Sequence, residues 1–75
     1  MVKKGIGSAI REVREDRAMS QEKLAEESGL HRTYISSVEL GRRNISIDNI
    51  YKIASALGVS MTELVRLCED RLEGE

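Results

Sequence analysis

Proline, tryptophan and phenylalanine are absent from this chain of 75 residues, and cysteine occurs once. Without proline there is no material for a proline-rich linker or a stiff polyproline spacer. A single cysteine, Cys68, excludes an intramolecular disulfide framework and a cysteine-rich metal site, and it reads as a small apolar residue on a helix. With two tyrosines as the only aromatics, any core must be filled by Ile, Leu, Val, Ala and Met. Long apolar runs are missing too. The opening MVKKGIGSAI has two lysines but no apolar stretch behind them, so neither a signal peptide nor a membrane span is expected, and the reading is a cytoplasmic protein. An excess of positive charge is also lacking: the net charge is -1 and the pI is near 5.9.

What is present is helical periodicity. Apolar residues recur at spacings of three and four, strands are hard to find, and no repeat or low-complexity tract divides the chain. Residues 1–75 are therefore expected to form one all-α domain, a compact bundle of five helices. The first is predicted over about 4–17, with Ile6, Ala9, Ile10 and Val13 on one face. The second follows the N-cap residue Ser20 and ends at Gly29; the third starts near His31 or Arg32 and ends near Leu40, with Gly41 as its stop. The fourth follows Ser46 and ends at Gly58. The fifth follows Ser60, where Ser60 and Glu63 match a capping box, and reaches about Leu72. So small a domain folds only marginally alone, and self-association buries more apolar surface.

The second and third helices are short and are joined by about three residues, the supersecondary signature of a helix-turn-helix. Ala25 is small where the helices would cross. Gly29 stands where the turn needs a positive backbone angle. Leu24, Leu30, Ile35 and Val38 supply the apolar contacts that set the angle between the two helices.

The stretch SQEKLAEESGLHRTYISSVELGRRN, followed by ALGVSMTEL, resembles the helix-turn-helix family of lambdoid phage repressors and Cro over about residues 6–67. Within it, LHRTYIS and GRRNISI look like the controller proteins of restriction–modification systems. The resemblance implies a lambda-repressor-like DNA-binding domain and a sequence-specific transcriptional regulator. Its partners would be a double-stranded DNA operator, a second copy of itself and RNA polymerase. A controller-like regulator activates its own promoter at low dose and represses it when a second dimer loads. Alternatives within the resemblance are a phage-type or developmental repressor and an antitoxin-like module that binds protein through the same fold.

In such a motif the third helix enters the major groove N-terminus first. Ile35 and Val38 face inward by spacing, which leaves Arg32, Thr33, Ser36 and Ser37 as candidate base readers. Arg32 suits bidentate contact with guanine, and the two serines read bases only if the helix sits deep. Phosphate contacts are expected from Gln21, His31, Tyr34, Arg42, Arg43 and Asn44. His31 is expected either to cap the third helix or to face phosphate. For Tyr34 the alternative is a half-buried packing aromatic. By resemblance, Arg14 and Glu39 form a structural ion pair, and acidic residues on the second helix, Glu22 and Glu26, contact polymerase.

Charge is uneven along the chain. Residues 1–29 balance, 30–52 carry +2 and 53–75 carry -3, so a near-neutral total is compatible with a local basic face. Apolar positions on the last two helices exceed what a small core needs. Ile47, Ile50, Tyr51, Leu64, Leu67 and Cys68 are expected at a symmetric dimer contact, with helix 61–72 contributing to it. Two third helices would then lie about 34 Å apart on a near-palindrome. No cofactor and no metal site is expected, because His31 is a lone histidine with no second ligand spaced to join it. No acid–base pair or glycine-rich phosphate loop suggests an enzyme.

Overall fold

The computed structural model describes residues 1–74. It contains five helices: α1 (Val2–Asp16), α2 (Gln21–Ser28), α3 (Arg32–Glu39), α4 (Ile47–Leu57) and α5 (Met61–Glu73). The four later helices start where the sequence predicts, three of them on a serine cap. The hydroxyls of Ser20, Ser46 and Ser60 accept hydrogen bonds from the backbone N–H groups of Lys23, Asn49 and Glu63. Each satisfies a donor that the first helical turn leaves free. At Ser60 only this half of the expected capping box is formed among the described residues.

Helix ends follow a common device. A residue in the left-handed region follows the helix, and its successor's N–H reaches back to a carbonyl five residues earlier. Gly29, Gly41 and Gly58 take this position, with the return bonds Leu30 to Ala25, Arg42 to Ser37 and Val59 to Ala54. At the end of α1 the same position is held by Ala18, with φ of 53°, while Met19 N–H donates to the Arg14 carbonyl. A side chain disfavours that conformation, so Ala18 is strained where its three counterparts are not.

The core is aliphatic. Ile6, Ala9, Ile10 and Val13 of α1 meet Leu24 and Ala25, Ile35 and Val38, Ile53, Ala54 and Leu57, and Leu64 and Cys68. Each fully buried Leu or Ile contributes about 1.5–3 kcal/mol relative to exposure. Helix α5 lies along α1, which also packs on α3; α2 packs on α3 and α4.

Helix α1 begins two residues earlier than the sequence suggested, because Gly5 N–H closes a bond on the Met1 carbonyl. Glycines normally weaken a helix, yet here Gly5 and Gly7 are buried within one. A Cβ at Gly7 would lie 2.1 Å from the Val38 carbonyl oxygen, and one at Gly5 would lie 3.1 Å from Cys68 Sγ. The two glycines thus let α3 and α5 approach the α1 backbone.

This close packing corrects one expectation. Leu64 and Cys68, four residues apart, lie on the inward stripe of α5 and are 0% and 4% exposed. They complete the core of the single chain and are not available to a dimer contact. Among the described residues, no helix is long and apolar enough to cross a membrane, and no cluster of potential ligands could hold a metal ion.

Candidate nucleic-acid interface

The pair α2–α3 is built as the sequence requires. Gly29 has φ of 74°, Ala25 is buried at the crossing, and Leu24, Ile35 and Val38 are fully buried beneath it. Leu30 packs against the core at the turn. These residues hold α3 by its inward face and leave its outward face clear.

Glu39, at the end of α3, fixes the helix from the other side. Arg14 of α1 donates to its carboxylate through Nε at 2.7 Å and Nη2 at 2.9 Å. Gln21 of α2 donates through Nε2 at 2.9 Å, and Arg14 Nη1 also donates to the Met19 carbonyl at 2.8 Å. Only 3% of the Glu39 side chain and 11% of the Arg14 side chain are exposed. The bidentate hydrogen bond to Glu39 raises the Arg14 pKa above its already high ordinary value, against the opposing effect of burial. Three helices are joined at one carboxylate.

Gln21 therefore differs from expectation. Its amide nitrogen donates inward to Glu39, and of the N–H groups in the first α2 turn that of Lys23 is taken up by the Ser20 cap. His31 occupies the N-cap position of α3 but makes no side-chain cap bond, and its ring is exposed. Imidazole lacks the short, single-oxygen reach with which serine closes a cap, so the capping role expected of it is not filled.

On the outward face, Arg32 and Thr33 are exposed and Ser36 and Ser37 are half-buried. None of the four side chains is hydrogen-bonded among the described residues. Arg42, Arg43 and Asn44 follow on the exposed loop after Gly41. The basic residues near α3 differ from several elsewhere in the chain. Arg11, Arg14, Lys23 and Arg71 are engaged with carboxylates, whereas Arg32, Arg42 and Arg43 have no carboxylate within salt-bridge distance among the described residues. The local positive charge on this face is left free for an outside anion.

Tyr34 is half-buried against the core, as in the second of its two readings, but its hydroxyl is not idle. It accepts a hydrogen bond from Asn49 Nδ2 of α4 at 3.0 Å, and the Arg43 guanidinium lies 5.0 Å from the ring centroid. Tyr34, Arg43 and Asn49 line one cleft with Thr33 and His31. Asn44 lines a different hollow with Lys3 and Ile45, so the GRRN loop borders two hollows. Sequence reasoning missed Asn49, whose partner is 15 residues away. It also missed Lys4, which packs against Gly41 at the base of that loop.

A helix-turn-helix family model matches residues 10–64. The chain belongs to the helix-turn-helix family. As a member of it, the protein is a DNA-binding transcriptional regulator. It is 55% identical over 60 residues to control protein C.BamHI of Bacillus amyloliquefaciens, an alignment covering 79% of this chain and 74% of that one. Its fold matches the restriction–modification controller protein C.AhdI of Aeromonas hydrophila with a TM-score of 0.81 and 45% identity, over 83% and 94% of the two chains. It also matches the nucleoprotein complex of the controller C.Esp1396I with a TM-score of 0.86 and 31% identity, over 93% and 91%.

Proposed function

We propose that this helix-turn-helix protein is a restriction–modification controller. In this reading it acts as a homodimer on a near-palindromic operator, activating its own promoter at low dose and repressing it at higher dose. The observation that carries the DNA-facing assignment is the grouping of three arginines without carboxylate partners among the described residues, Arg32, Arg42 and Arg43, on and just after α3, where the side chains of Arg32, Thr33, Ser36 and Ser37 make no internal hydrogen bond. Arg32, with Thr33 and, where the helix sits deep, Ser36 and Ser37, reads base edges. His31, Tyr34, Arg42, Arg43, Asn44 and Gln21, beside its bond to Glu39, meet the phosphate backbone.

Self-association is supported by exposed apolar surface. Ile47 and Tyr51 of α4 are 65% and 61% exposed, and Val65 of α5 and Val2 of α1 are exposed as well. Beside them runs an apolar hollow of about 290 Å³ lined by Ile6, Ile45, Ile50 and Val65. The dimer contact is therefore assigned to Ile47, Ile50, Tyr51 and Leu67, with Val65 and Val2 in place of Leu64 and Cys68. The chain measures 31 Å in its longest direction, less than the roughly 34 Å between successive major-groove half-sites. One chain spans one half-site and two are needed for a palindrome.

For polymerase contact, Glu22 is the freer of the two proposed residues, since Lys23 lies 3.6 Å from Glu26 and 3.2 Å from Glu27. The test is footprinting on the DNA upstream of the protein's own gene, with transcription measured across a protein titration. A symmetric footprint and output that rises and then falls are expected. No protected site there would refute the controller assignment, and a monotonic fall would refute activation.

A further inference from the structure

We infer that Asn49, on α4 and outside the helix-turn-helix, is a positioning residue for DNA recognition. It acts by fixing the direction in which the Tyr34 hydroxyl gives its proton. The inference rests on the DNA-binding reading of α3 and its following loop.

A phenol oxygen accepts hydrogen bonds and donates a single proton. Asn49 Nδ2 donates to that oxygen at 3.0 Å. The amide NH2 is donor-only, so this bond occupies the acceptor side of the phenol and commits its proton elsewhere. Among the described residues nothing accepts that proton. It is left to point into the cleft that Tyr34 shares with Thr33, His31 and Arg43. The Arg43 guanidinium over the ring places positive charge at the same opening. A donor and a cation at one mouth define the ligand chemistry: an acceptor oxygen or nitrogen carrying negative charge or partial charge, such as a phosphate oxygen or a base edge of DNA. Asn49 supplies no contact itself. It sets the hydroxyl, and the hydroxyl-bearing ring carries Arg43.

The arrangement also explains why a residue of α4 can act on recognition without weakening its own helix. The backbone N–H of Asn49 closes the cap bond on Ser46, while its side chain makes the bond to Tyr34. Asn49→Ala removes the second and leaves the first.

The test is a double-mutant cycle between Asn49→Ala and Tyr34→Phe, read as affinity for an operator duplex and for a duplex of unrelated sequence. Asn49→Ser serves as a second removal of the amide, and thermal melting of each variant confirms that it is folded. Each single substitution should weaken operator binding by about 2- to 10-fold, the scale of one hydrogen bond. The double variant should be no weaker than Tyr34→Phe alone, and the Asn49 side-chain amide resonance of the free protein should shift in Tyr34→Phe. An equal Tyr34→Phe loss on both duplexes identifies a phosphate as the acceptor, and a loss confined to the operator identifies a base edge. Losses that multiply, or operator affinity unchanged by the Asn49 substitutions, would overturn the inference. Failure of the unmodified protein to bind the operator would instead overturn the function it rests on.

Discussion

Glu39 is the most constrained carboxylate among the described residues, held by Arg14 and Gln21 with almost no solvent. Removing one member of such a pair strands the other charge in the interior, so Arg14→Ala or Glu39→Ala should each cost about 3–5 kcal/mol in urea unfolding. An Arg14→Met, Glu39→Leu double replacement should cost less than either single change, because no charge remains to be desolvated. Ala18 offers the opposite case. Glycine suits its positive backbone angle of 53°, and Ala18→Gly should raise stability by about 1 kcal/mol, visible as a higher melting temperature. Burial pushes the Cys68 thiol pKa up, and the nearby Glu69 charge adds to this. The folded state thus holds the thiol proton more tightly than the unfolded state does. Stability from this group is complete below the ordinary thiol range near pH ~8.5 and declines as pH rises through the higher folded value. A thiol reagent at pH 8 should label the folded protein far more slowly than a urea-unfolded sample. Of these residue-scale features, the Arg14–Glu39 pairing was legible only through family resemblance, since 25 positions separate the two. Ala18 carried no signal, because alanine at a helix end looks like one more helical residue.

Helices were legible where local chemistry defines them. Ser20, Ser46 and Ser60 open three helices, and Gly29 and Gly58 close two, because caps and left-handed ends depend on neighbours in sequence. Interhelical approach was not legible, because it depends on partners far along the chain. Gly5 and Gly7 are poor helix formers, yet within α1 they stand where an added Cβ would meet Cys68 of α5 and Val38 of α3. Gly7→Ala should therefore cost more than ~3 kcal/mol or prevent folding, since the added carbon would meet the Val38 carbonyl of α3. Gly58→Ala meets no atom within 4 Å and should cost only about 1–2 kcal/mol, the conformational penalty at φ of 78°. Circular dichroism melts of the pair would separate the two causes. The division of α5 followed the same logic. Its periodicity showed one apolar stripe, but which residues of that stripe were used internally depended on α1 lying against it.

For the molecule as a whole, net charge is a poor guide to partner. Arg11, Lys23 and Arg71 are paired with carboxylates while Arg32, Arg42 and Arg43 on and after α3 are not among the described residues, so affinity for DNA should follow the local charge. Arg43→Ala should lower the slope of log affinity against log salt by about one per chain if Arg43 neutralises one phosphate. Val65→Asp, on exposed α5 surface, should shift sedimentation toward the monomer and weaken operator binding, without lowering the helix content of the monomer. The exposed arginines on and after α3 were legible from the sequence because residues near a helix-turn-helix can be counted. The support behind them was not, because Asn49 reaches Tyr34 only through the packing of α4. One consequence concerns how such proteins diversify. Arg32, Thr33, Ser36 and Ser37 hold nothing in place inside their own chain, so exchanging them should change stability by no more than ~0.5 kcal/mol. With these four positions reading the operator as proposed, a duplicated gene can drift to a new operator while its product still folds, and two copies in one cell can become deaf to each other's promoters without either passing through an unfolded intermediate sequence.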